Sequence, residues 1–143
     1  MTKTFVDTGA FCAFCDRRDS LHVIAVRQFS LMLKEKYPLI TTNFIIDETY
    51  TWIRYRLGAS EALEFIRKIR ASESHRPPLE IVTISREIED NAFHMLEKFA
   101  DQDLSYTDAT SLAVIKERKL SRAFTFDRHF HLLPIELVPG VAR

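Results

Sequence analysis

Acidic residues recur in this 143-residue chain where an apolar run stops or a helical pattern begins. "FVDTGAF" places Asp7 directly after Phe5 and Val6, and "AFTFDRHF" places Asp127 after a second apolar run. Asp47 and Glu48 lie near the start of a helical pattern in "TNFIIDETYTWIR", as does Asp108 in "LSYTDATSLAVI". An unpartnered carboxylate is costly to bury, so an acid that ends a strand is either exposed or held. Carboxylates gathered at one place repel each other and are normally tolerated with a cation or with protons. Hard oxygen donors suit Mg²⁺ or Mn²⁺. Such an ion stabilises charge on a phosphodiester and makes water a nucleophile near neutral pH. Helix N-termini beside the acids would add a partial positive charge that favours phosphate.

Each acid also has a plainer explanation. Asp108 stands three residues after Ser105, and S-x-x-D is close to a helix capping box. Glu48 could be a first-turn acid favoured by the helix dipole, and Asp127 a turn residue. Asp7 is the hardest to explain away, because it ends an apolar strand and no cap is needed there.

The elements that would position these acids alternate. Strands are expected at 3–6, 37–42, 79–84, 122–126 and 135–138, with helices between them. Ser20, Asn43, Ser60, Ser85 and Ser105 are the expected helix caps. Ala25, Phe29 and Met32 share one helical face, as do Ala62, Phe65, Ile66 and Ile69, and Ile88, Ala92, Met95 and Phe99. Strands separated by helices imply parallel crossovers, hence a three-layer α/β/α sandwich on a mainly parallel sheet. In such sheets ligands bind beyond the carboxyl ends of the strands, where Asp7 and Asp127 would stand.

The length suits one domain over residues 1–143, and the single linker-like stretch, 72–78, is short enough to be a loop. No apolar run approaches the roughly 18 residues of a membrane span, and the N-terminus lacks a signal-peptide pattern. A cytoplasmic protein is expected. Twenty basic and 20 acidic residues cancel, so attraction of nucleic acid by net charge is excluded and any contact must be local. Cys12 and Cys15 have C-x-x-C spacing but no second pair, so a structural zinc is not supported and packing is the simpler role.

Taken in order, "FVDTGAF", "TNFIIDETYTWIR", "LSYTDATSLAVI" and "AFTFDRHF" resemble the PIN-domain nucleases, most closely the small VapC toxins of toxin–antitoxin pairs. The resemblance spans essentially the whole chain. It implies metal-dependent cleavage of RNA in a pocket of four carboxylates, Asp7, Glu48, Asp108 and Asp127, with Mg²⁺ or Mn²⁺ anchored by Asp7 and Asp108. Thr8, Thr107 and Thr125 match the accompanying hydroxyls. Asp103 is a candidate supporting carboxylate, with Asp101 its neighbour. Asp47 competes with Glu48, but one helical step turns it about 100° away. The resemblance also implies a homodimer and a cognate antitoxin covering the pocket.

For the RNA, Arg54 and Arg128 are candidate phosphate contacts, with Arg56, Arg17, Arg18 and "KERKLSR" as further cations. Trp52 and Tyr55 could stack unpaired bases. Charged helix faces are often merely solvated. A phosphatase with a nucleophilic strand-end Asp would need a second acid two residues on, where Gly9 stands. A receiver-type domain would need a strand-end Lys that is not found. A housekeeping RNA-processing nuclease and a non-catalytic binding module are the remaining alternatives.

Overall fold

The computed structural model describes residues 2–143. Five short strands, β1 (Thr4–Val6), β2 (Leu39–Thr42), β3 (Glu80–Val82), β4 (Arg122–Phe124) and β5 (Glu136–Val138), form one sheet in the order β3-β2-β1-β4-β5. Every pairing is parallel. The helices are α1 (Thr8–Cys15), α2 (His22–Lys34), α3 (Asn43–Arg56), α4 (Ala59–Ser72), α5 (Arg86–Lys98) and α6 (Tyr106–Glu117), with a 3-10 turn over Arg128–Leu132. No described helix is long and apolar enough to cross a membrane.

The strand order explains the layers. From β1 the chain steps outward to β2 and then β3, and it returns past β1 to β4. Because parallel crossovers are right-handed, the reversal sends α5 and α6 to the face opposite α1–α4. The packing agrees: α1 contacts α2 and α3, α3 contacts α4, and α5 contacts α6. The expected α/β/α sandwich is therefore the observed one.

β1 is the central strand, and Thr4, Phe5 and Val6 are fully buried. Phe5, Val6, Ile40, Ala123 and Phe124 from the sheet join Ala25, Met32, Ile45, Ile53, Leu112 and Ile115 from the helices in one core. α6 is buried all round from Ala109 to Ile115, the mark of a helix enclosed on every side. Fixing this helix fixes Asp108 in its first turn.

Three expected caps fall elsewhere. Thr42, not Asn43, caps α3: its backbone is extended and its hydroxyl accepts from Ile45 N at 3.1 Å. Asn43 begins the helix and its side chain accepts from Ile84 N at 2.9 Å, tying α3 to the end of β3. Gly58, not Ser60, opens α4. With φ +102 it takes a left-handed turn, donating to Ile53 O and accepting from Ala62 N, and so, with Leu57, joins two helices through two residues. α2 begins at His22 after Leu21, with Ser20 in the preceding turn, where Asp19 accepts from Leu21 N instead. Ser85 and Ser105 cap as expected.

Candidate functional site

Asp7 stands at the carboxyl end of β1, between β1 and β4, where the direction of strand progression reverses. Its backbone N–H extends the ladder to Phe124 O at 3.0 Å, and its carbonyl accepts from Ala10 and Phe11 at the start of α1. It occupies the N-cap position of α1, but its side chain makes no cap hydrogen bond. Instead Oδ2 accepts from the Thr125 hydroxyl at 2.8 Å. The residue is 5% exposed. Burial, opposed by the Thr125 bond and reinforced by the charges of Asp108 and Asp127, pushes its carboxyl up to about 7. The strand-end acid is thus buried, held by one hydroxyl and faced by two more carboxylates.

Asp108 is both cap and candidate site residue. Its Oδ2 accepts from Ser105 N at 3.2 Å while Ser105 Oγ accepts from Asp108 N at 3.0 Å, completing a reciprocal capping box. One carboxylate oxygen closes the box and the other is left for a ligand. Burial, with the negative charges of Asp127 and Glu48, holds this carboxyl above its usual range. Glu48 is half-buried and Asp47 exposed, as expected for neighbours on a helix, so Glu48 is the α3 acid that faces the cluster.

Asp127 follows the end of β4 on a stretch organised by Thr125. The Thr125 hydroxyl accepts from Asp127 N at 3.0 Å while donating to Asp7, so one side chain links the two strand-end acids. Asp127 Oδ1 accepts from His129 N at 2.9 Å and lies 2.9 Å from His129 Nδ1. Among the described residues, one group of His, Cys, Asp or Glu donors lies mutually within 4.8 Å: Asp108, Asp127 and His129. Asp7 stands outside that closest group, although the charges of Asp108 and Asp127 act on it. His129 is a candidate site residue that sequence reasoning missed.

The supporting positions divide. Thr8 Oγ1 is buried beside Asp7 with no hydrogen-bond partner among the described residues. Thr107 is half-buried, and its carbonyl accepts from the Thr110 hydroxyl at 2.7 Å. Asp103 is exposed in the loop before α6 and bonds to none of the four acids. Arg54 and Arg128 are exposed and in no ion pair among the described residues. Arg56 is committed elsewhere: its Nε donates to buried Asp16 at 3.0 Å, and its guanidinium lies 5.2 Å from the Trp52 ring centroid. Cys12 and Cys15 are free thiols. Burial raises both, Cys15 to about 11, so they stay protonated and serve as packing.

A carboxylate cluster at a sheet's switch point, with an orphaned hydroxyl and an imidazole beside it, has the donor chemistry of a divalent-cation site. The sequence model of the PIN domain matches residues 4–135. The chain belongs to the PIN-domain family. It is 31% identical over 131 residues to a VapC ribonuclease of Archaeoglobus fulgidus, covering 89% of this chain and 78% of that protein. It is 29% identical over 127 residues to the 23S rRNA-specific endonuclease VapC20 of Mycobacterium tuberculosis, covering 88% of this chain and 90% of the relative. The crystal structure of that VapC20, titled a sarcin–ricin loop cleaving toxin, superposes with a TM-score of 0.79 at 26% identity, over 94% of this chain and 99% of that one. The PIN fold and the VapC kinship expected from the four motifs are thereby established.

Proposed function

We propose that this PIN-domain protein is a metal-dependent endoribonuclease of the toxin type, and that Asp7, Glu48, Asp108 and Asp127 form its reactive pocket. The observation that carries the reading is Asp7: a carboxylate 5% exposed, at the switch point of a parallel sheet, facing two further acids. Such a group gains most from a cation, because charge neutralisation there replaces repulsion with attraction.

Mg²⁺ or Mn²⁺ at this site would supply Lewis-acid stabilisation of the phosphodiester and acidify water. Asp7 and Asp108 would hold it, Asp108 through the oxygen outside the capping box. Glu48 adds negative charge from α3 and orients water. Thr125 keeps Asp7 and Asp127 in fixed relation. Arg54 and Arg128, exposed and without acidic partners among the described residues, would hold flanking phosphates.

The names of the relatives support RNA as the substrate class, and the VapC20 names make a large-subunit rRNA loop the first structured substrate to try. VapC kinship also supports a cognate antitoxin and a homodimer. An apolar groove of about 790 Å³, lined by Phe14, Phe29, Leu33 and Phe65 with Lys36 and Lys68 beside them, offers an antitoxin segment a seat.

The reading is tested by incubating partner-free protein with 23S rRNA and with short single-stranded RNA, in Mn²⁺, Mg²⁺ or EDTA. Metal-dependent internal cleavage is expected. No cleavage of any RNA by folded protein would leave the fold as a binding module.

A further inference from the structure

We propose that His129 is a nitrogen ligand of the cation bound at this site, oriented by Asp127, and that this donor makes the site prefer Mn²⁺ to Mg²⁺. The inference rests on the divalent-cation reading above and adds to it a ligand and a selectivity.

The geometry begins with the turn that follows β4. Phe130 is fully buried and packs against Phe5 with ring centroids 6.2 Å apart, which pins the 3-10 turn to the central strand. His129, one residue earlier, is held by its own backbone N–H to Asp127 Oδ1. The same carboxylate oxygen lies 2.9 Å from His129 Nδ1. The imidazole therefore lies against the carboxylate of Asp127. A carboxylate beside the ring is the usual way a ligating histidine is oriented. The ring's ligand atom lies within 4.8 Å of carboxylate oxygens of both Asp108 and Asp127, close enough for one ion to bridge them.

This assignment recasts Asp127. One of its oxygens accepts from the His129 backbone N–H and lies against the imidazole, so its first task is to position the ring. It also separates His129 from His131, which is exposed two residues on and outside the donor group. Selectivity follows from donor chemistry. Mg²⁺ takes oxygen ligands and keeps its waters, whereas nitrogen donors belong to the first-row transition-metal ions, the series that Mn²⁺ opens. A site with one nitrogen among its oxygens loses Mg²⁺ affinity relative to Mn²⁺.

The test is pulsed EPR of the full-length protein loaded with Mn²⁺. The wild-type protein is expected to show ¹⁴N modulation of the Mn²⁺ signal that changes to the ¹⁵N pattern when histidine is ¹⁵N-labelled, a result that requires no variant to fold. His129→Gln, checked for an unchanged melting temperature, is expected to lose the modulation. It should bind Mn²⁺ about tenfold or more weakly, with a smaller change for Mg²⁺ measured by competition. Bound Mn²⁺ without histidine nitrogen coupling, or coupling that persists in His129→Gln, would overturn the proposal and leave the nuclease reading standing. Failure of the wild-type protein to bind Mn²⁺ at all would overturn both.

Discussion

Asp7 carries a measurable signature of its surroundings even before any RNA is added. Its carboxyl, ordinarily near 3.8, is pushed up to about 7 in the folded protein, chiefly by burial. Between those pH values the native state holds a proton that the unfolded chain has released. Metal-free stability therefore falls as pH rises from about 4 to about 7 and levels off above that, by on the order of 4 kcal/mol. Asp7→Asn removes the titrating group, so its contribution to that slope should vanish. The variant should be more stable than wild type at pH 8, with a melting temperature higher by roughly 5 °C or more. Denaturant titrations at pH 5 and pH 8 in EDTA check this, and a wild-type stability that rises across the interval would contradict it. Mn²⁺ should raise wild-type stability at pH 8 and leave Asp7→Asn nearly unmoved.

Elements matter here through the way they present single side chains. The capping box of α6 fixes the helix start and also holds Asp108 by one oxygen. Ser105→Ala should lower stability by about 1 kcal/mol, yet reduce cleavage by more than that loss implies, because Asp108 is released. Thermal melts beside kcat measurements would separate the two effects, and activity that only tracks stability would refute the coupling. At the far end of α1, Asp16 is buried and accepts from Arg18 N and Arg56 Nε, each at 3.0 Å, so its carboxyl sits below the usual range. Asp16→Ala strips the partner from Arg56 and unlinks α1 from α3. A loss of about 2 kcal/mol is expected on chemical denaturation, below the 3–5 kcal/mol of fully buried pairs because Arg56 is 57% exposed. Asp7 and Asp127 were legible as candidates because an acid after an apolar run is conspicuous, and Glu48 and Asp108 because each lies near the start of a helical pattern. The parallel sheet was legible because strands and helices alternate. His129 was not, since a lone histidine in "TFDRHF" carries no periodic signal and only the folded turn brings its ring onto Asp127. The cap of α3 was misread because Thr42 and Asn43 are both capable, and only the extended backbone at Thr42 decides between them. Likewise Arg54 and Arg56 look alike in sequence, but Arg56 alone meets Asp16.

For the molecule as a whole, 20 basic and 20 acidic residues leave no net field, so RNA affinity must come from a few local contacts. Each phosphate contact with single-stranded RNA contributes about −0.7 to the slope of log K against log salt. If Arg54 and Arg128 supply the phosphate contacts proposed above, the cleavage-defective Asp7→Asn variant should bind short RNA with a slope no steeper than about −2. A much steeper slope would place the binding surface on the basic stretch at 116–122 instead. The parallel sheet converts distant segments into one site: it brings residues 7, 48, 108 and 127, spread over most of the chain, to one edge. The most direct test of that convergence is cleavage of fluorescent single-stranded RNA by partner-free protein in Mn²⁺, Mg²⁺ or EDTA, beside folded Asp7→Asn. Cleavage that needs the metal and falls at least about a hundredfold in the variant, as for loss of a group stabilising the transition state, is the predicted result. Cleavage that survives EDTA, or survives in Asp7→Asn, would contradict it.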